Sequence, residues 1–355
     1  MLVDSPPEPP ADTGPPPPQT PPASRKRNAA RAAGLLAAAG LLLLVAVASI
    51  AVGAKPLPLD QVWHGLFHTA HGEADVIVRD VRLPRTLLGL LAGAALGLSG
   101  AVMQALTRNP LAEPGILGVN AGAAAAVVSA ISFLGVSSAG GYVWFALLGA
   151  AVVTVVVHVL GGSRGATPVR LALAGTAVTY ALYGYVNSVQ LMDSAALDRM
   201  RFWTVGSLAS ADTGVIRQVL PFIAAGTLLA LALARPLNAM ALGDDGARAL
   251  GTRPARTRAL AMTAVTLLCG AATAACGPIV FIGLIVPHLV RALTGPDQRW
   301  ILPYAAVLSP VLLLGADVIG RVVTRPGELQ AGIVTAVIGG PVFIHLVRRR
   351  RVAQQ

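Results

Sequence analysis

The sequence is short of charge, aromatic residues and cysteine, and each shortage narrows the class of protein. Charged residues make up 12% of the 355 positions and aromatic residues 5%. Soluble globular chains carry about 25% charged residues, so an ordinary soluble domain is excluded. The two cysteines, Cys269 and Cys276, lie in one apolar run. That placement favours a packing role over a disulfide framework or a thiolate metal site.

Lysine is also scarce, and its positions exclude one class of enzyme. Lys26 and Lys55 are the only lysines, and neither follows the glycine-rich run of a phosphate-binding loop. The chain is therefore not itself a P-loop ATPase, and its energy source must lie elsewhere. The sequence contains no catalytic constellation, so we predict a non-enzymatic chain without a catalytic residue, cofactor or metal.

Apolar residues are abundant and determine the fold class. They make up 55% of the chain and give a mean hydropathy of +0.69. The apolar runs predict an all-α polytopic membrane protein of about ten transmembrane helices. The predicted spans are 33–54, 86–106, 114–134, 142–160, 169–192, 215–234, 259–276, 278–290, 301–319 and 331–347.

The net charge of +11 reflects topology, because the basic residues lie between the apolar runs. With the N-terminus inside, the cytoplasmic loops hold eighteen of the 27 basic residues. The positive-inside rule then places both termini in the cytoplasm and requires an even number of crossings. This distribution argues against a nucleic-acid partner.

The composition divides the chain into three parts. Residues 1–31 are predicted to form a disordered, proline-rich cytoplasmic tail, 32–348 the membrane domain, and 349–355 a basic cytoplasmic C-terminus. The apolar run after the tail is too long for a signal peptide and is followed by further spans, so it is predicted to be an uncleaved helix. A PxxP-type ligand is the alternative interpretation of the tail.

An internal sequence repeat indicates a duplicated transporter. Three residues of the first half recur in the second half at one constant offset: Gly93, Gly100 and Pro110 correspond to Gly270, Gly277 and Pro287. The charge count gives the two copies opposite directions, which is the inverted repeat that transporters use to build two-sided gates. Because small residues are abundant throughout, chance similarity is the alternative.

The apolar run 259–290 is too long for one crossing and too short for two, so Gly277-Pro278 is predicted to break it. Interrupted segments of this kind line substrate paths in transporters, and a kinked, packed helix is the alternative. In the other half, Gly93, Gly97 and Gly100 would let a neighbouring helix approach closely.

Asp317 is the acidic residue that stands out at predicted membrane depth, with Arg321 one helical turn later as its partner. A carrier driven by an ion gradient more often has several buried acids, so their scarcity favours transport driven by a partner subunit. A secondary carrier that uses Asp317 is the alternative function, and a non-transporting membrane scaffold is a third.

His64, His68 and His71 are spaced for one face of a helix in the first outer loop. Trp63 and Phe67 lie among them, so we favour an amphipathic helix at the membrane surface over a metal site.

The cytoplasmic loop 235–258 has a defined helical start and stop. Pro236 ends one helix, and Gly251 ends a short helical stretch around Ala247. A compact helix that projects from the membrane is suited to docking a soluble protein, whereas the alternative is a simple tether between spans.

Seven blocks, in order along the chain beyond residue 60, resemble the FecCD-type permeases of ABC importers, which carry ferric siderophores, haem or cobalamin. They are RLPRT (82–86), GAVMQALTRNPLAEPGILGV (100–119), FWTVGSL (202–208), ALG with AR and LG (241–251), GPIVFIGLIVPHLVR (277–291), GADVIGR (315–321) and GELQAGIVTAVIGGPVFIHLVRR (327–349). Several long blocks in order are more specific than any single short motif.

The resemblance implies a type II ABC importer permease fold in the cytoplasmic membrane of a bacterium. It implies a second permease subunit, identical or paralogous, two ATP-binding-cassette ATPase subunits and an extracytoplasmic binding protein that delivers a ferric siderophore or related iron chelate. The positions matching the family's contacts with the binding protein are Arg82, Arg85 and Arg321. Those of the ATPase-coupling loop are Gly243, Ala247, Arg248, Leu250 and Gly251. We assign the translocation path or gate to Gly93, Gly97, Gly100, Asn109, Pro110, Gly277, Pro278 and Pro287.

Overall fold

The computed structural model describes residues 22–67, 72–162 and 168–352, and within these ranges the chain is helical without β-strands. The α-helices are α1 (Pro22–Ala51), α2 (Leu59–Phe67), α3 (Glu73–Val76), α4 (Leu83–Thr107), α5 (Val119–Leu134), α6 (Ala139–Leu160), α7 (Pro168–Met192), α8 (Ser194–Trp203), α9 (Thr213–Ala232), α10 (Ala234–Met240), α11 (Gly243–Ala249), α12 (Pro254–Cys276), α13 (Ile282–Thr294), α14 (Gln298–Val323) and α15 (Ala331–Val352). A π-helical turn, Ile77–Arg82, leads into α4, and a 3-10 turn, Pro114–Leu117, leads into α5.

Each of the ten predicted spans corresponds to one helix, namely α1, α4, α5, α6, α7, α9, α12, α13, α14 and α15. By length and composition, six helices of the described ranges are able to cross a membrane: α1, α4 with the turns before it, α6, α9, α12 and α14. Helices α5 and α13 and the apolar part of α15 are shorter. The all-α polytopic fold is therefore confirmed.

The predicted break after α12 is present and has a backbone cause. Helix α12 ends at Cys276, and Gly277 follows with φ = 73°, a conformation that favours glycine. A Cβ at Gly277 would collide with the carbonyl of Trp203, so the segment that follows α8 packs directly on this break. Helix α13 begins only at Ile282, after Phe281 at φ = 71°.

The packing of the helices repeats between the two halves of the chain. Helix α4 packs against α13 and α14, and α12 packs in the corresponding way against α5 and α6. The pairs α5·α6, α5·α7 and α6·α7 recur as α13·α14, α13·α15 and α14·α15. Helices α1 and α9 take equivalent places, against α14 and α6 respectively. The helices therefore form two structural repeats, in which α4 and α12 are counterparts.

The two copies run in opposite directions. At one end of the bundle, Asp244 contacts both Arg108, after the C-terminus of α4, and Arg258, near the N-terminus of α12. At the other end, Arg85 near the start of α4 and Cys276 at the end of α12 line one cavity. The repeat is therefore inverted, as the charge count predicts. We call the end with Arg108 the inner end and the end with Arg85 the outer end, after their predicted sides.

The paired residues that suggested the duplication do not occupy equivalent places. Gly100 lies within α4, whereas Gly277 follows the last residue of α12. Pro110 lies in the turn after α4, whereas Pro287 lies inside α13. The repeat is therefore a property of helix packing and not of a fixed residue offset.

Candidate transport and docking sites

Three arginines at the outer end hold the C-terminus of α1. Arg82 donates from Nη1 to the carbonyls of Ile50 and Ala51, at 2.9 and 2.7 Å. Arg321 donates to the carbonyls of Ser49 and Val52, both at 2.9 Å, and Arg325 to that of Gly53 at 2.8 Å. The last carbonyls of a helix have no intrahelical partner and carry partial negative charge, so the guanidinium groups stabilise this end.

A buried ion cluster lies directly beside this cap. Arg85 donates from Nη2 to Asp317 Oδ1 at 2.7 Å and from Nη1 to Glu328 Oε2 at 2.6 Å. Arg321 Nη2 lies 3.0 Å from Asp317 Oδ2, which confirms the predicted pair one turn apart on α14. Asp317 is fully buried and thus shared by two arginines. Removing one partner of a buried charge pair costs about 3–5 kcal/mol, so the cluster fixes α4 against α14.

Arg82, Arg85 and Arg321, the positions predicted to contact the binding protein, are not exposed in this arrangement. These three residues are 3%, 3% and 2% exposed. The reason is physical: the carbonyls of α1 and the carboxylate of Asp317 need cations, and these three side chains supply them. The exposed cations at the same end include Arg325 and Arg199. Contact between Arg82, Arg85 or Arg321 and a binding protein stays a prediction that requires this cluster to open.

At the inner end, α10 and α11 form a compact helical corner. Ala247 is fully buried and packs with Ala239 and Met240. Leu242 and Leu250 are exposed on either side of α11. Glycines bound the helix, because Gly243 and Gly251 have φ values of 94° and 74°. The loop therefore has the defined start and stop that its sequence predicts, with two apolar side chains exposed at its edges.

Asp244, in the first turn of α11, connects this corner to the two counterpart helices. Its Oδ1 lies 3.1 Å from Arg108 Nη2 and 2.6 Å from Arg258 Nη2. The hydrogen bond from Arg258 and the nearby charges of Arg258, Arg108 and Arg248 hold the pKa of Asp244 below its ordinary value. Arg248 itself pairs with Asp245 at 2.6 Å and is exposed. Asp244 does not stand out in the sequence, because its partners lie 136 and 14 residues away.

A second polar contact connects α10 to α14. Asn238 donates to Asp297 Oδ1 at 2.6 Å and accepts from the backbone N–H of Gln298 at 2.9 Å. Asp297 also caps α14 by accepting from the N–H of Arg299. The guanidinium of Arg299 is the main cause that lowers the pKa of Asp297 to about 2. The corner is therefore connected to α4, α12 and α14.

The loop after α4 supports the start of α13. Asn109 is exposed and accepts from the N–H of Leu111 at 3.0 Å, whereas Pro110 is buried. Glu113 accepts the N–H of Phe281 at 2.9 Å, just before α13, and burial raises the pKa of Glu113. Gln104 of α4 donates to the carbonyl of Leu284 at 3.0 Å. Glu113 and Gln104 were not singled out from the sequence, although both lie in the block 100–119.

The glycines assigned to the path lie at close helix contacts within the chain. Gly93 and Gly97 face Pro310 and Ser309 of α14 at distances that leave no room for a Cβ, and Gly100 faces the backbone of Gly283. Gly277 and Pro287 are buried and Pro278 is half-buried. In this arrangement these residues pack helices together, and a role in the path stays a prediction.

The first outer loop contains an amphipathic helix. Helix α2 buries Val62 and Gly65 and exposes Leu59, Trp63 and Phe67. The ring centroids of Trp63 and Phe67 lie 4.5 Å apart. This pattern agrees with the predicted helix at the membrane surface.

The metal alternative for this loop rests on three histidines. His64 Nδ1 lies 3.4 Å from Asp75 Oδ1, and His68 and His71 lie outside the described residues. Within the described ranges, no cluster of three or more His, Cys, Asp or Glu side chains is placed to hold a metal ion.

Comparison with known proteins identifies the relatives of this arrangement. The FecCD transport family matches residues 41–349. The ferric enterobactin transport system permease protein FepD of Escherichia coli is 49% identical over 305 residues, which cover 85% of this chain and 91% of FepD. The iron(3+)-hydroxamate import system permease protein FhuB of Bacillus subtilis is 43% identical, over 86% of this chain and 80% of FhuB. A solved metal-chelate type ABC transporter in an inward-facing conformation superposes with a TM-score of 0.78 at 29% identity, over 89% of this chain and 98% of that one.

Proposed function

The chain belongs to the FecCD transport family and is a transmembrane permease subunit of an ABC importer, and we propose that its cargo is a ferric siderophore. The observation that carries the cargo proposal is the 49% identity to a ferric enterobactin permease along almost the whole chain. The second relative is named for ferric hydroxamate import, so these two relatives share iron chelates as the class of cargo. The permease itself performs no covalent chemistry.

The proposed complex contains two permease subunits, two ATPase subunits and an extracytoplasmic binding protein. The corner of α10 and α11 is the proposed ATPase dock, because it exposes Leu242 and Leu250 at the inner end. Small apolar contacts on a well-fixed short helix suit insertion into a groove of a soluble partner. The second permease, identical or paralogous, would pack against apolar surface that the single chain exposes, such as Tyr180 and Leu191 of α7.

The chain is a multi-pass inner membrane protein, and we propose that both termini face the cytoplasm. The proposal is supported by the basic residues, which concentrate in the loops of one side. It also places the inner end, with α10 and α11, on the side where ATP is available.

The proposed mechanism transmits the closure of the ATPase subunits through α11. Asp244 connects α11 to α4 and α12, and Asn238 connects α10 to α14. A displacement of the corner therefore moves the central helices of both repeats together, which is the rigid-body rocking that alternating access requires.

The alternative of an ion-driven carrier finds little support at Asp317. Its carboxylate is buried between Arg85 and Arg321. A coupling ion would have to displace two guanidinium groups from a carboxylate that is inaccessible to water. The buried acid is instead accounted for as a structural counter-ion.

The proposal is tested by purifying the chain with its co-expressed partners and reconstituting the complex in liposomes. We expect the ATPase subunits to copurify and iron-chelate uptake to require both ATP and the binding protein. Uptake that follows an ion gradient without ATP would refute the assignment of ATP as the driving force. ATP-driven uptake of cobalamin, without uptake of any iron chelate, would refute the cargo.

A further inference from the structure

A cavity of about 290 Å³ lies at the outer end, beside the buried ion cluster. Its wall comes from α4, α6, α8, the end of α12 and the segments that follow α8 and α14. The side chains that matter for its chemistry are Arg85, Tyr142, Arg199, Trp203, Ser207 and Glu328. The coupling contacts lie at the opposite end of the bundle, so this cavity serves a different purpose.

The wall that carries Trp203 and Ser207 is held rigidly. The N–H of Ser207 donates to the carbonyl of Cys276 at 2.7 Å, and the N–H of Gly332 donates to the carbonyl of Gly206 at 3.0 Å. Because α12 and α15 fix this segment from two sides, the cavity is formed before any ligand arrives. A pre-formed site avoids the ordering cost of binding.

The lining combines aromatic surface with positive charge. The indole N–H of Trp203 is buried and has no acceptor among the described residues. A buried donor without a partner is uncommon in native structures, so this N–H is a candidate donor to a ligand oxygen. Tyr142 supplies a second, half-buried aromatic ring, and Ser207 supplies a hydroxyl.

The charge of the lining favours an anion. Among the described residues, Glu328 is the one carboxylate that lines the cavity; it is held by Arg85 at 2.6 Å, and Arg85 also pairs with Asp317. With Arg321, which pairs with Asp317 at 3.0 Å, the cluster contains two positive and two negative charges that compensate one another. Arg199 is exposed in the wall and adds a further positive charge. Guanidinium groups and aromatic rings together bind planar, electron-rich anions.

We propose that this cavity binds one arm of a ferric catecholate as the chelate passes from the binding protein into the permease, an inference that rests on the proposed function. A catecholate arm is a planar aromatic ring with oxygen acceptors, which matches Tyr142, the Trp203 N–H and the Arg199 guanidinium. The volume is just below the lower end of ligand pockets, about 300–1,000 Å³, so it accommodates an arm and not the whole chelate.

The charge of the chelate separates two classes of siderophore. Three catecholates lose two protons each and leave the ferric complex with an excess of negative charge. Three hydroxamates lose one proton each and give a neutral complex. A cavity with an added arginine therefore selects the catecholate over the hydroxamate, because electrostatic complementarity sets specificity.

The test measures binding of a ferric tricatecholate and of a neutral ferric trihydroxamate to the full detergent-solubilised complex, without the binding protein. Arg199→Gln removes the charge at an exposed position, and Arg199→Lys retains it. Trp203→Phe removes the N–H donor and keeps an aromatic ring. Arg217→Gln, an exposed arginine of α9 that does not line the cavity, and Trp144→Phe are the matched controls.

We expect Arg199→Gln to weaken ferric tricatecholate binding about tenfold, as expected for a lost hydrogen bond between charged groups, with Arg199→Lys near normal and trihydroxamate binding unchanged. Trp203→Phe should weaken tricatecholate binding a few-fold, with its fluorescence quenching by the chelate reduced. Copurification of the ATPase subunits verifies assembly of each variant. Tricatecholate affinity that is equal in Arg199→Gln and Arg217→Gln overturns the cavity proposal, even if wild-type uptake succeeds. Failure of the wild-type complex to take up any iron chelate overturns the proposed function instead.

Discussion

Replacing Asp244 with asparagine should uncouple ATP hydrolysis from transport, because Asp244 is the residue that links α11 to both counterpart helices. Asparagine keeps the size of the side chain and removes the charge that Arg108 and Arg258 contact at 3.1 and 2.6 Å. The complex should still assemble, since the buried face of α11 is formed by Ala247 and not by Asp244. The Asp244→Asn substitution therefore weakens the connection of α11 to α4 and α12 and leaves the ATPase docking surface unchanged.

The expected loss of coupling free energy follows from the exposure of the Asp244, Arg258 and Arg108 side chains. Asp244 is 30% exposed, Arg258 23% and Arg108 42%, so neither ion pair is fully desolvated. Exposed pairs contribute about 0.2–1 kcal/mol and hydrogen bonds to charged groups about 1.5–3 kcal/mol. After allowance for solvent screening, we expect a loss of about 1–2 kcal/mol of coupling, which corresponds to roughly a 5- to 30-fold change.

The assay is the number of chelate molecules imported per ATP hydrolysed by the reconstituted complex. The adjacent Asp245 provides the matched control, because it is 98% exposed and pairs with Arg248 within the same helix. Asp245→Asn should leave the ratio unchanged, and Arg258→Gln should reproduce the loss. Equal transport ratios for Asp244→Asn and Asp245→Asn, in complexes that assemble normally, would show that α11 does not act through this bridge.

Four further outcomes are expected from the packing and charges described above. Ala247→Trp should prevent stable docking of the ATPase, measured by copurification, because the fully buried site has no space for an indole. Asp317→Asn should lower the thermal stability of the purified chain by the equivalent of about 3–5 kcal/mol, since it leaves Arg85 and Arg321 buried without a counter-charge. Gly100→Val should abolish stable insertion, whereas Gly40→Val should not, because a Cβ at Gly100 collides with the backbone of Gly283 and one at Gly40 meets open space. The coupling ratio should stay constant as pH falls to about 5, because the lowered pKa of Asp244 keeps its carboxylate ionised over that range.

The helices were predictable because hydropathy and local breakers determine them. The ten spans, the break at Gly277 and the Asp317–Arg321 pair depend on residues close in sequence. The partners of the remaining site residues are distant. Arg85 and Asp317 are 232 residues apart, and Glu113 and Phe281 are 168 apart.

The burial of Arg82, Arg85 and Arg321 illustrates the limit of sequence reasoning at a helix end. An arginine near a predicted membrane boundary is expected to be exposed, because water is available there. Whether it is exposed depends on which acceptors the fold brings beside it. Here the C-terminus of α1 supplies unpaired carbonyls, and hydropathy carries no information about where that terminus lies relative to α4 and α14.

The two ends of α4 differ in a way that determines how a movement would be transmitted. At the outer end, Arg85 is fixed to Asp317 of α14 inside the protein, and separating that pair would cost about 3–5 kcal/mol. At the inner end, α4 is held through Arg108, whose exposed contact to Asp244 is far weaker. Between the two ends, the glycines of α4 pack directly against the backbones of α13 and α14. A displacement that the Asp244 bridge passes to α4 therefore moves α4 and α14 as one body, because the ion cluster beside Arg85 is the stronger of the two connections.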